Sequence, residues 1–291
     1  MTATIRSVKV GDVDLAIAET GRGGRPLLLQ HGFTGAKEDF ADWWDALAER
    51  GWHVVAPDLR GHGASSHPRS RNDYSMERFE SDLLGLVDAL GWTRFTLLGH
   101  SLGGMISQAI AIERPERLDS LVLMDTISGP AAMEGGGLRF ALLRLFVRLR
   151  GMDAIAKFVR KPPPGAPESV VRLYAERPGF VEWTQSKVRN TSREMATVMM
   201  RELSRRPDCL DDLRALSLPT LVLVGEFDMP GFVDGSRLMA DAVPGARLVI
   251  LEGAAHNPQL ETPDAWWRAL TEFLDELPAP AIPPAPPTTP A

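Results

Sequence analysis

A chain of 291 residues, 44% of them hydrophobic, is long enough for one large α/β domain with an insertion and can fill a sizeable buried core. Its formal net charge of -6 provides no basic surface for nucleic-acid phosphates, which excludes a nucleic acid as a partner. The single cysteine, Cys209, excludes an internal disulfide and a cysteine-based metal site, and this favours a reducing compartment.

The N-terminal residues predict no targeting segment. Residues 1–10 lack the apolar stretch of a secretory signal, and no later run reaches the length of a membrane span. We therefore expect a cytoplasmic protein without a transmembrane segment. Residues 5–10 and 13–19 then predict an opening hairpin, joined at Gly11 and Asp12.

Short apolar runs and helix-length amphipathic segments alternate along most of the remaining chain. The runs predict six buried strands, at residues 26–30, 53–56, 95–98, 121–124, 220–224 and 247–251. Helical periodicity covers residues 38–50, 76–90, 102–113, 233–242 and 262–277. This alternation is typical of crossover connections, so we expect an α/β fold with an eight-stranded, mostly parallel sheet flanked by helices.

The alternation stops in residues 128–207, which predict helices interrupted at Gly135 to Gly137 and at residues 161–165. We interpret this range as a helical cap, inserted into a core formed by residues 1–127 and 208–277. The cap carries 15 basic against 7 acidic residues, a net charge of +8, whereas the rest of the chain carries -14. Its arginines form either a solvated helix face or a surface that attracts an anionic substrate or an acidic lipid surface.

The last residues, 278–291, contain 7 prolines in 14 positions and predict a disordered or polyproline-like tail.

Residues 99–104 (GHSLGG) directly follow a predicted strand and open a predicted helix. A G-x-S-x-G turn forces its central serine, here Ser101, into a strained backbone conformation above the sheet, and Gly99 and Gly103 remove the clash with neighbouring backbone. The amide of Leu102 then lies at the positive end of the helix. This turn makes Ser101 the candidate nucleophile.

A serine nucleophile needs a base, and the base needs an orienting group. His256 lies just after the last predicted strand, in a loop of small residues (GAAHNP, 253–258), and is the candidate base. Asp228 follows the strand that ends at residue 224 and can fix the tautomer of the imidazole. Asp125 also follows a strand end, so it is the alternative acid.

The oxyanion of an acyl intermediate needs backbone donors. Residues 31–35 (HGFTG) follow the third strand, and we expect the amide of Phe33 to pair with that of Leu102 as an oxyanion hole. His31 favours a scaffold hydrogen bond. Asp58 and His62 have the look of metal ligands, but no third ligand is evident, and a polar network that braces the active-site loops is the preferred interpretation.

Five motifs together resemble the α/β-hydrolase fold superfamily: HGF at 31, PDLRGHGAS at 57, GHSLGG at 99, GEFD at 225 and GAAHNP at 253. The resemblance covers residues 5–127 and 208–277 and includes the order Ser, Asp, His. It implies an eight-stranded sheet, a helical cap inserted after the sixth strand, and no cofactor.

Cap-bearing esterases and enol-lactonases are the group that this chain resembles most. Relatives with an aspartate nucleophile are disfavoured by Ser101, a menaquinone-pathway synthase by Met105, and ring-fission C–C hydrolases by Asn257. We therefore expect a serine hydrolase that cleaves a small carboxylic ester or lactone through an acyl-enzyme. The alternatives are a C–C bond hydrolase of a ring-fission ketoacid, a non-hydrolytic lyase or synthase, and a non-catalytic ligand-binding protein.

The cap sequence indicates an apolar substrate pocket with positive charge. Trp183 is a candidate substrate contact, and Arg189 or Arg193 could hold the carboxylate of an anionic substrate. The oligomeric state cannot be inferred from these residues.

Overall fold

The computed structural model describes residues 2–129 and 136–278 and contains one eight-stranded sheet. Its strands are β1 (Thr4–Val10), β2 (Val13–Thr20), β3 (Arg25–Gln30), β4 (Trp52–Pro57), β5 (Phe95–His100), β6 (Leu118–Met124), β7 (Thr220–Gly225) and β8 (Arg247–Leu251). Each predicted strand falls within one of these, so the predicted sheet is confirmed.

The order of the strands brings several loops to one edge of the sheet. The strands lie in the order β1-β2-β4-β3-β5-β6-β7-β8. β2 is antiparallel to both β1 and β4, while every other neighbouring pair is parallel. The parallel strands therefore place their carboxyl ends together, and the loops that follow β3, β5, β6, β7 and β8 meet there.

Helices cover both faces of the sheet. They are α1 (Trp44–Glu49), α2 (Met76–Ala89), α3 (Leu102–Glu113), α4 (Gly136–Ala156), α5 (Glu168–Glu176), α6 (Phe180–Arg189), α7 (Arg193–Leu203), α8 (Leu210–Leu213), α9 (Pro230–Ala242), α10 (Pro258–Glu261) and α11 (Pro263–Glu276). Phe79 of α2 and Ile106 of α3 belong to a core on one face, and Leu47 of α1 and Trp266 of α11 to a core on the other. Within the range predicted as one helix, 38–50, the structure has a 3-10 turn and then α1.

Helices α4 to α7, Gly136–Leu203, form a helical insertion between β6 and β7. They lie within the range predicted for a cap, although Gly135, the first residue of a predicted break, is outside the described residues. The other predicted break, residues 161–165, falls between α4 and α5. The helical path is also interrupted at Gly151, where φ is 73° and glycine is needed. Val147 of α4 and Met199 of α7 share one buried cluster with Ile106, so the insertion packs directly onto the sheet domain.

Three further predictions concern the cysteine, membrane-spanning helices and the C-terminal residues. Cys209 is buried and unpaired. No helix among the described residues is long and apolar enough to cross a membrane. The predicted proline-rich tail lies outside the described residues except for Pro278, whose carbonyl accepts a hydrogen bond of 3.1 Å from Arg25.

Candidate active site

Ser101 lies at the sharp turn between β5 and α3, and its backbone is in a region that L residues rarely adopt, with φ 54° and ψ -114°. The two motif glycines explain why the turn can be so tight. A Cβ on Gly99 would lie 2.4 Å from the carbonyl oxygen of Gly103, and a Cβ on Gly103 would lie 2.6 Å from that of His31. Because Gly99 and Gly103 have no side chains, the backbone can hold Ser101 in this strained conformation.

His256 connects Ser101 to an acid. Its Nε2 lies 3.1 Å from Ser101 Oγ, and its Nδ1 lies 2.8 Å from Oδ2 of Asp228. The Asp228 side chain is almost fully buried, and its other oxygen accepts a hydrogen bond of 2.7 Å from the amide of Met229. The three side chains come from the loops after β5, β7 and β8. They form one hydrogen-bonded chain from hydroxyl to imidazole to carboxylate.

The electrostatic environment of His256 suits a base that must hold a proton during a reaction. Burial disfavours the charged imidazole, but the charge of Asp228 and its hydrogen bond outweigh burial, and the pKa of His256 is raised above its ordinary value. Glu261 adds to this effect through its negative charge. His256 is therefore stabilised as an imidazolium once it has accepted a proton.

Asp125, the alternative acid, lies beside Asp228 and His256 but has a different hydrogen-bond partner. Its Oδ1 accepts a hydrogen bond of 2.9 Å from the amide of Gly225, and its Oδ2 is buried without a hydrogen-bond partner among the described residues. Burial and the neighbouring charge of Asp228 raise the pKa of Asp125 well above its usual range. A neutral carboxyl at Asp125 can donate to Asp228, whereas two carboxylates side by side would repel.

Asp125, Asp228 and His256 are also the three side chains among the described residues whose ligand atoms lie close enough to hold a metal ion, within 4.8 Å of one another. Hydrogen bonds already account for this proximity. His256 Nδ1 is directed at Asp228, and Asp125 is held by the amide of Gly225.

The two residues predicted to form the oxyanion hole lie beside Ser101. Phe33 and Leu102 border the same cavity as Ser101 and His256. The loop after β3 approaches so closely that a Cβ on Gly32 would lie 3.1 Å from Cβ of Ser101. Within the described part of the chain, the amides of Phe33 and Leu102 donate to no other group. Both are therefore free to donate to an atom bound at Ser101.

The polar residues near this loop form a supporting network. His31 donates from Nδ1 to the carbonyl of Gly32 at 2.8 Å and accepts at Nε2 from the amide of Leu59 at 3.0 Å. His62 donates from Nε2 to the carbonyl of Phe33 at 2.8 Å. Asp58 accepts from Lys37 Nζ at 2.9 Å. These bonds fix the loop that presents the amide of Phe33.

Sequence reasoning missed two residues that position His256. His100 donates from Nε2 to the backbone carbonyl of His256 at 2.7 Å, and burial lowers the pKa of His100 to about 3, so its ring stays neutral. Glu261 accepts from the amides of Ala255 and Asn257 at 2.5 and 3.2 Å. Proximity to Ser101 in the GHSLGG motif was a signal for His100, but nothing in the sequence indicated Glu261.

A cavity of about 200 Å³ opens at Ser101 and is lined mainly by apolar side chains. Met105 and Ile127 come from the sheet domain, while Leu143 and Met200 come from the helical insertion. One charged residue, Arg206, also lines it. Nη1 of Arg206 is buried without an acceptor among the described residues, and burial lowers the pKa of the guanidinium.

A second cavity, of about 690 Å³, also borders His256 and includes Trp183 and Lys187. Nζ of Lys187 lies 3.8 Å above the ring of Trp183 and pairs with the buried carboxylate of Asp39. The structure therefore places the predicted contact Trp183 at a cavity next to His256.

The two predicted arginines lie elsewhere. Arg189 bonds to Gln185 at 3.1 Å and pairs with Asp153, and Arg193 pairs with Glu194 at 3.3 Å. Neither lines the two cavities beside His256. Helical geometry explains this, because Trp183 and Lys187, four residues apart, share a face of α6 that Arg189 leaves. The Arg and Lys residues that line these cavities are Arg206 at the first and Lys161 and Lys187 at the second instead.

Known proteins resemble this chain over nearly its whole length. A family model described as the α/β hydrolase fold matches residues 25–263. Epoxide hydrolase A of Mycobacterium tuberculosis is 27% identical over 94% of this chain and 98% of its own length. For 3-oxoadipate enol-lactonase 2 of Acinetobacter baylyi, the identity is 27% over 90% and 94%. The structure of a thermophilic esterase from Thermogutta terrifontis matches with a TM-score of 0.78 at 30% identity, over 94% and 99% of the two chains.

Proposed function

The chain belongs to the α/β hydrolase fold family, and from that premise we propose that it hydrolyses a small carboxylic ester or lactone through an acyl-enzyme. The observation that carries this proposal is the hydrogen-bonded chain from Ser101 through His256 to Asp228. Ser101, at one end of this hydrogen-bonded chain, borders a mostly apolar cavity. Phe33 and Leu102 border the same cavity, and their amides have no other acceptor among the described residues. Such a site has a nucleophile, a base, an orienting acid and oxyanion donors.

In the acylation step, Ser101 Oγ attacks the carbonyl carbon of the substrate while His256 Nε2 accepts the hydroxyl proton. The carbonyl oxygen becomes an oxyanion, which the amides of Phe33 and Leu102 stabilise by hydrogen bonds. The imidazolium then gives its proton to the leaving alkoxide oxygen. The ester bond breaks and the acyl group remains on Ser101.

In the deacylation step, a water molecule takes the place of the alcohol. His256 removes a proton from this water, which attacks the acyl carbon, and the same two amides hold the second oxyanion. Collapse of the intermediate returns the proton to Ser101 and releases the carboxylic acid. Asp228 stabilises the imidazolium in both steps, and the sequence of steps requires no cofactor.

The helical insertion acts as a cap in this proposal, because Leu143 and Met200 complete the cavity above Ser101. Arg206 adds a single positive charge to an otherwise apolar lining. A buried guanidinium with an unpaired Nη1 is costly unless an anion meets it. We therefore include in the proposal that the preferred substrate is anionic, with a carboxylate that Arg206 binds.

The alternative functions differ from the proposed one in the nucleophile, in the reaction or in the absence of turnover. Ser101 argues against an epoxide hydrolase mechanism with an aspartate nucleophile, although epoxide hydrolase A is a relative. A C–C bond hydrolase would act on a ring-fission ketoacid, and a lyase or synthase would use Ser101 without an acyl-enzyme. A binding protein would turn over none of these substrates.

Labelling with a fluorophosphonate and a substrate panel test the proposal. The panel contains 4-nitrophenyl esters of increasing acyl length, lactones and a dienoic ketoacid, with Ser101→Ala as the control protein. We expect one covalent label on the wild type, none on Ser101→Ala, and turnover of esters or lactones by the wild type alone. Ester turnover retained by Ser101→Ala, or cleavage of the ketoacid alone, would contradict the proposal.

A further inference from the structure

The outer face of α4 exposes an unusual amount of apolar surface. Leu142, Leu145 and Leu149 are 59, 51 and 70% exposed, and their spacing of three and four residues places them on one stripe. Phe158, 73% exposed, packs beside α4 against the ring of Phe146 at 6.0 Å. We call Leu142, Leu145, Leu149 and Phe158 the leucine stripe. Soluble proteins rarely leave such a contiguous patch without a partner.

Helix α4 has an exposed apolar outer face, which is the leucine stripe, and an inner face that packs against the core. Val147 of the same helix is fully buried in the core that the insertion shares with the sheet domain. Leu143, between the two faces, lines the cavity at Ser101. The helix therefore needs only its inner face for folding, and the stripe requires a different explanation.

Positive charge surrounds the leucine stripe. Residues 136–161 contain seven Arg or Lys residues and one acidic residue, Asp153, which pairs with Arg189. Arg144 and Arg148 lie next to the stripe and line a surface cavity of about 240 Å³ together with Arg71 and Arg201. Among the residues that the structure describes, no carboxylate lines that cavity.

The arginines that line this cavity differ in whether they form ion pairs with acidic side chains. Arg201 pairs with its neighbour Glu202 at 3.0 Å. Arg144 and Arg148 form no ion pair with any described residue. The surface around the leucine stripe therefore combines exposed apolar side chains with uncompensated guanidinium groups.

We propose that the leucine stripe and the arginines beside it bind the surface of an anionic phospholipid bilayer. An apolar stripe flanked by arginines is the pattern of a helix that lies in a membrane interface. The leucines enter the boundary of the acyl chains, and Arg144, Arg148 and Arg201 bind lipid phosphates. This binding needs no catalysis and goes beyond the proposed hydrolysis.

Charge distinguishes a bilayer from a second copy of this chain. In a twofold dimer the same patch would face itself, and the uncompensated arginines of the two copies would repel. An anionic bilayer offers an apolar layer and a layer of phosphates at the depths that the leucines and arginines require. Because Leu143 roofs the cavity at Ser101, a bound α4 would hold that cavity next to the membrane surface.

Co-sedimentation of the full chain with vesicles tests the inference. One set of vesicles contains phosphatidylcholine with 30 mol% phosphatidylglycerol, and the other contains phosphatidylcholine alone. We expect binding to the anionic vesicles to be at least tenfold stronger and to weaken at 1 M NaCl. Equal binding to both vesicles, or binding to neither, would overturn the proposal.

Variants assign the binding to this face. We expect Leu142→Ser/Leu145→Ser/Leu149→Ser to bind anionic vesicles at least tenfold more weakly, and Arg144→Gln/Arg148→Gln roughly 30-fold more weakly. The matched control is Arg237→Gln/Leu238→Ser on α9, where Leu238 is 52% exposed, and we expect it to bind like the wild type. Unchanged binding of both α4 variants, or equal loss in the control, would overturn the assignment.

Folding and self-association are measured in the same samples. Far-UV circular dichroism and urea unfolding show whether each variant keeps its fold, and the single variant Leu149→Ser replaces the triple variant if that one unfolds. Analytical ultracentrifugation is run without lipid. A wild-type dimer that the leucine variant dissolves would assign the stripe to a second copy of the chain and would contradict bilayer binding.

Discussion

The sheet domain and the helical insertion differ in how they use their residues. The predicted cap range, which holds the insertion, carries +8, while the rest of the chain carries -14. The triad candidates Ser101, His256 and Asp228 all follow strands of the sheet, whereas Leu143 and Met200 come from the insertion. Rigid strand ends thus hold the groups whose spacing must be accurate. The insertion supplies cavity walls and a surface, where chemistry can vary without disturbing that spacing.

The largest expected effect tests whether the sheet domain carries the chemistry. Replacing His256 by Ala removes the base, and we expect kcat for ester hydrolysis to fall by about 10⁴- to 10⁶-fold. The control is His67→Ala, because His67 is an exposed histidine of the same domain, and the carbonyl of Gly63 is its one side-chain hydrogen-bond partner among the described residues. Steady-state kinetics on a 4-nitrophenyl ester measure both. Substantial activity in His256→Ala would contradict the role of His256 as the base and the role of its hydrogen bonds in the reaction.

The two acids at neighbouring strand ends provide the next comparison. We expect Asp228→Asn to lower kcat by about 10³- to 10⁴-fold, because the neutral amide cannot stabilise the imidazolium. Asp125→Asn should cost less than about tenfold, since the raised pKa of Asp125 favours the neutral carboxyl, which Asn resembles, and Asn keeps the acceptor for the amide of Gly225. A larger loss in Asp125→Asn would make Asp125 the partner of His256.

Stability tests whether the insertion and the sheet domain fold as one unit. Met199 of α7 is fully buried in the shared core, so we expect Met199→Ala to lower the free energy of unfolding by about 2–5 kcal/mol. Leu149→Ala, in the same insertion but 70% exposed, should change it by less than about 0.5 kcal/mol. Urea unfolding is followed by circular dichroism and by tryptophan fluorescence. Two separate transitions would show that the insertion unfolds independently.

A smaller effect concerns the charge inside the cavity. We expect Arg206→Met to lower kcat/KM by about 10- to 100-fold for a 4-nitrophenyl monoester of glutaric acid, which places a carboxylate in the cavity. The neutral 4-nitrophenyl pentanoate should change by less than about threefold. Arg193→Met is the control, because Arg193 lies outside the cavities at His256. An equal loss on both esters would assign Arg206 a structural role.

The smallest effect is a shift along the pH axis. His256 must be neutral to accept the proton of Ser101, so kcat/KM should rise with pH through the pKa of this imidazole. Asp228 raises that pKa, which places the midpoint above about 6.5 in the wild type. In Asp228→Asn the midpoint should move to lower pH. The pH profile of kcat/KM checks both, and a midpoint that does not move would contradict the coupling.

The sheet domain was predictable because its signals are local. Each strand is a short apolar run, and a loop with a polar residue follows each strand that leads to the site. The order of Ser101, Asp228 and His256 along the chain therefore predicted three side chains at one edge of the sheet. The choice between Asp228 and Asp125 remained open, because it depends on the direction of side chains at two neighbouring strand ends.

The insertion was less predictable because its contacts are not local. Arg189 and Arg193 have the right charge for an anionic substrate, but helical phase turns Arg189 away and Arg193 pairs with Glu194. Arg206, near the end of the range, lines the cavity instead. The sequence around Gly151 did not predict an interruption, because a single glycine also occurs inside an uninterrupted helix of this chain, such as Gly85 in α2. Composition indicated a basic surface but could not place its residues.

The raised pKa of Asp125 has a consequence for how the site tolerates change. Its oxygens, those of Asp228 and the nitrogens of His256 offer atoms within 4.8 Å of one another, and burial, together with the charge of Asp228, raises the pKa of Asp125. Loss of Asp228 removes the second of these causes, so the pKa of Asp125 should fall and Asp125 can serve in part as a reserve acid. The two positions should therefore show epistasis, with Asp125→Asn far more damaging in the Asp228→Asn background. Such a reserve would leave the single variant Asp228→Asn more active than the double variant, so two neighbouring strand ends share the task of orienting one imidazole.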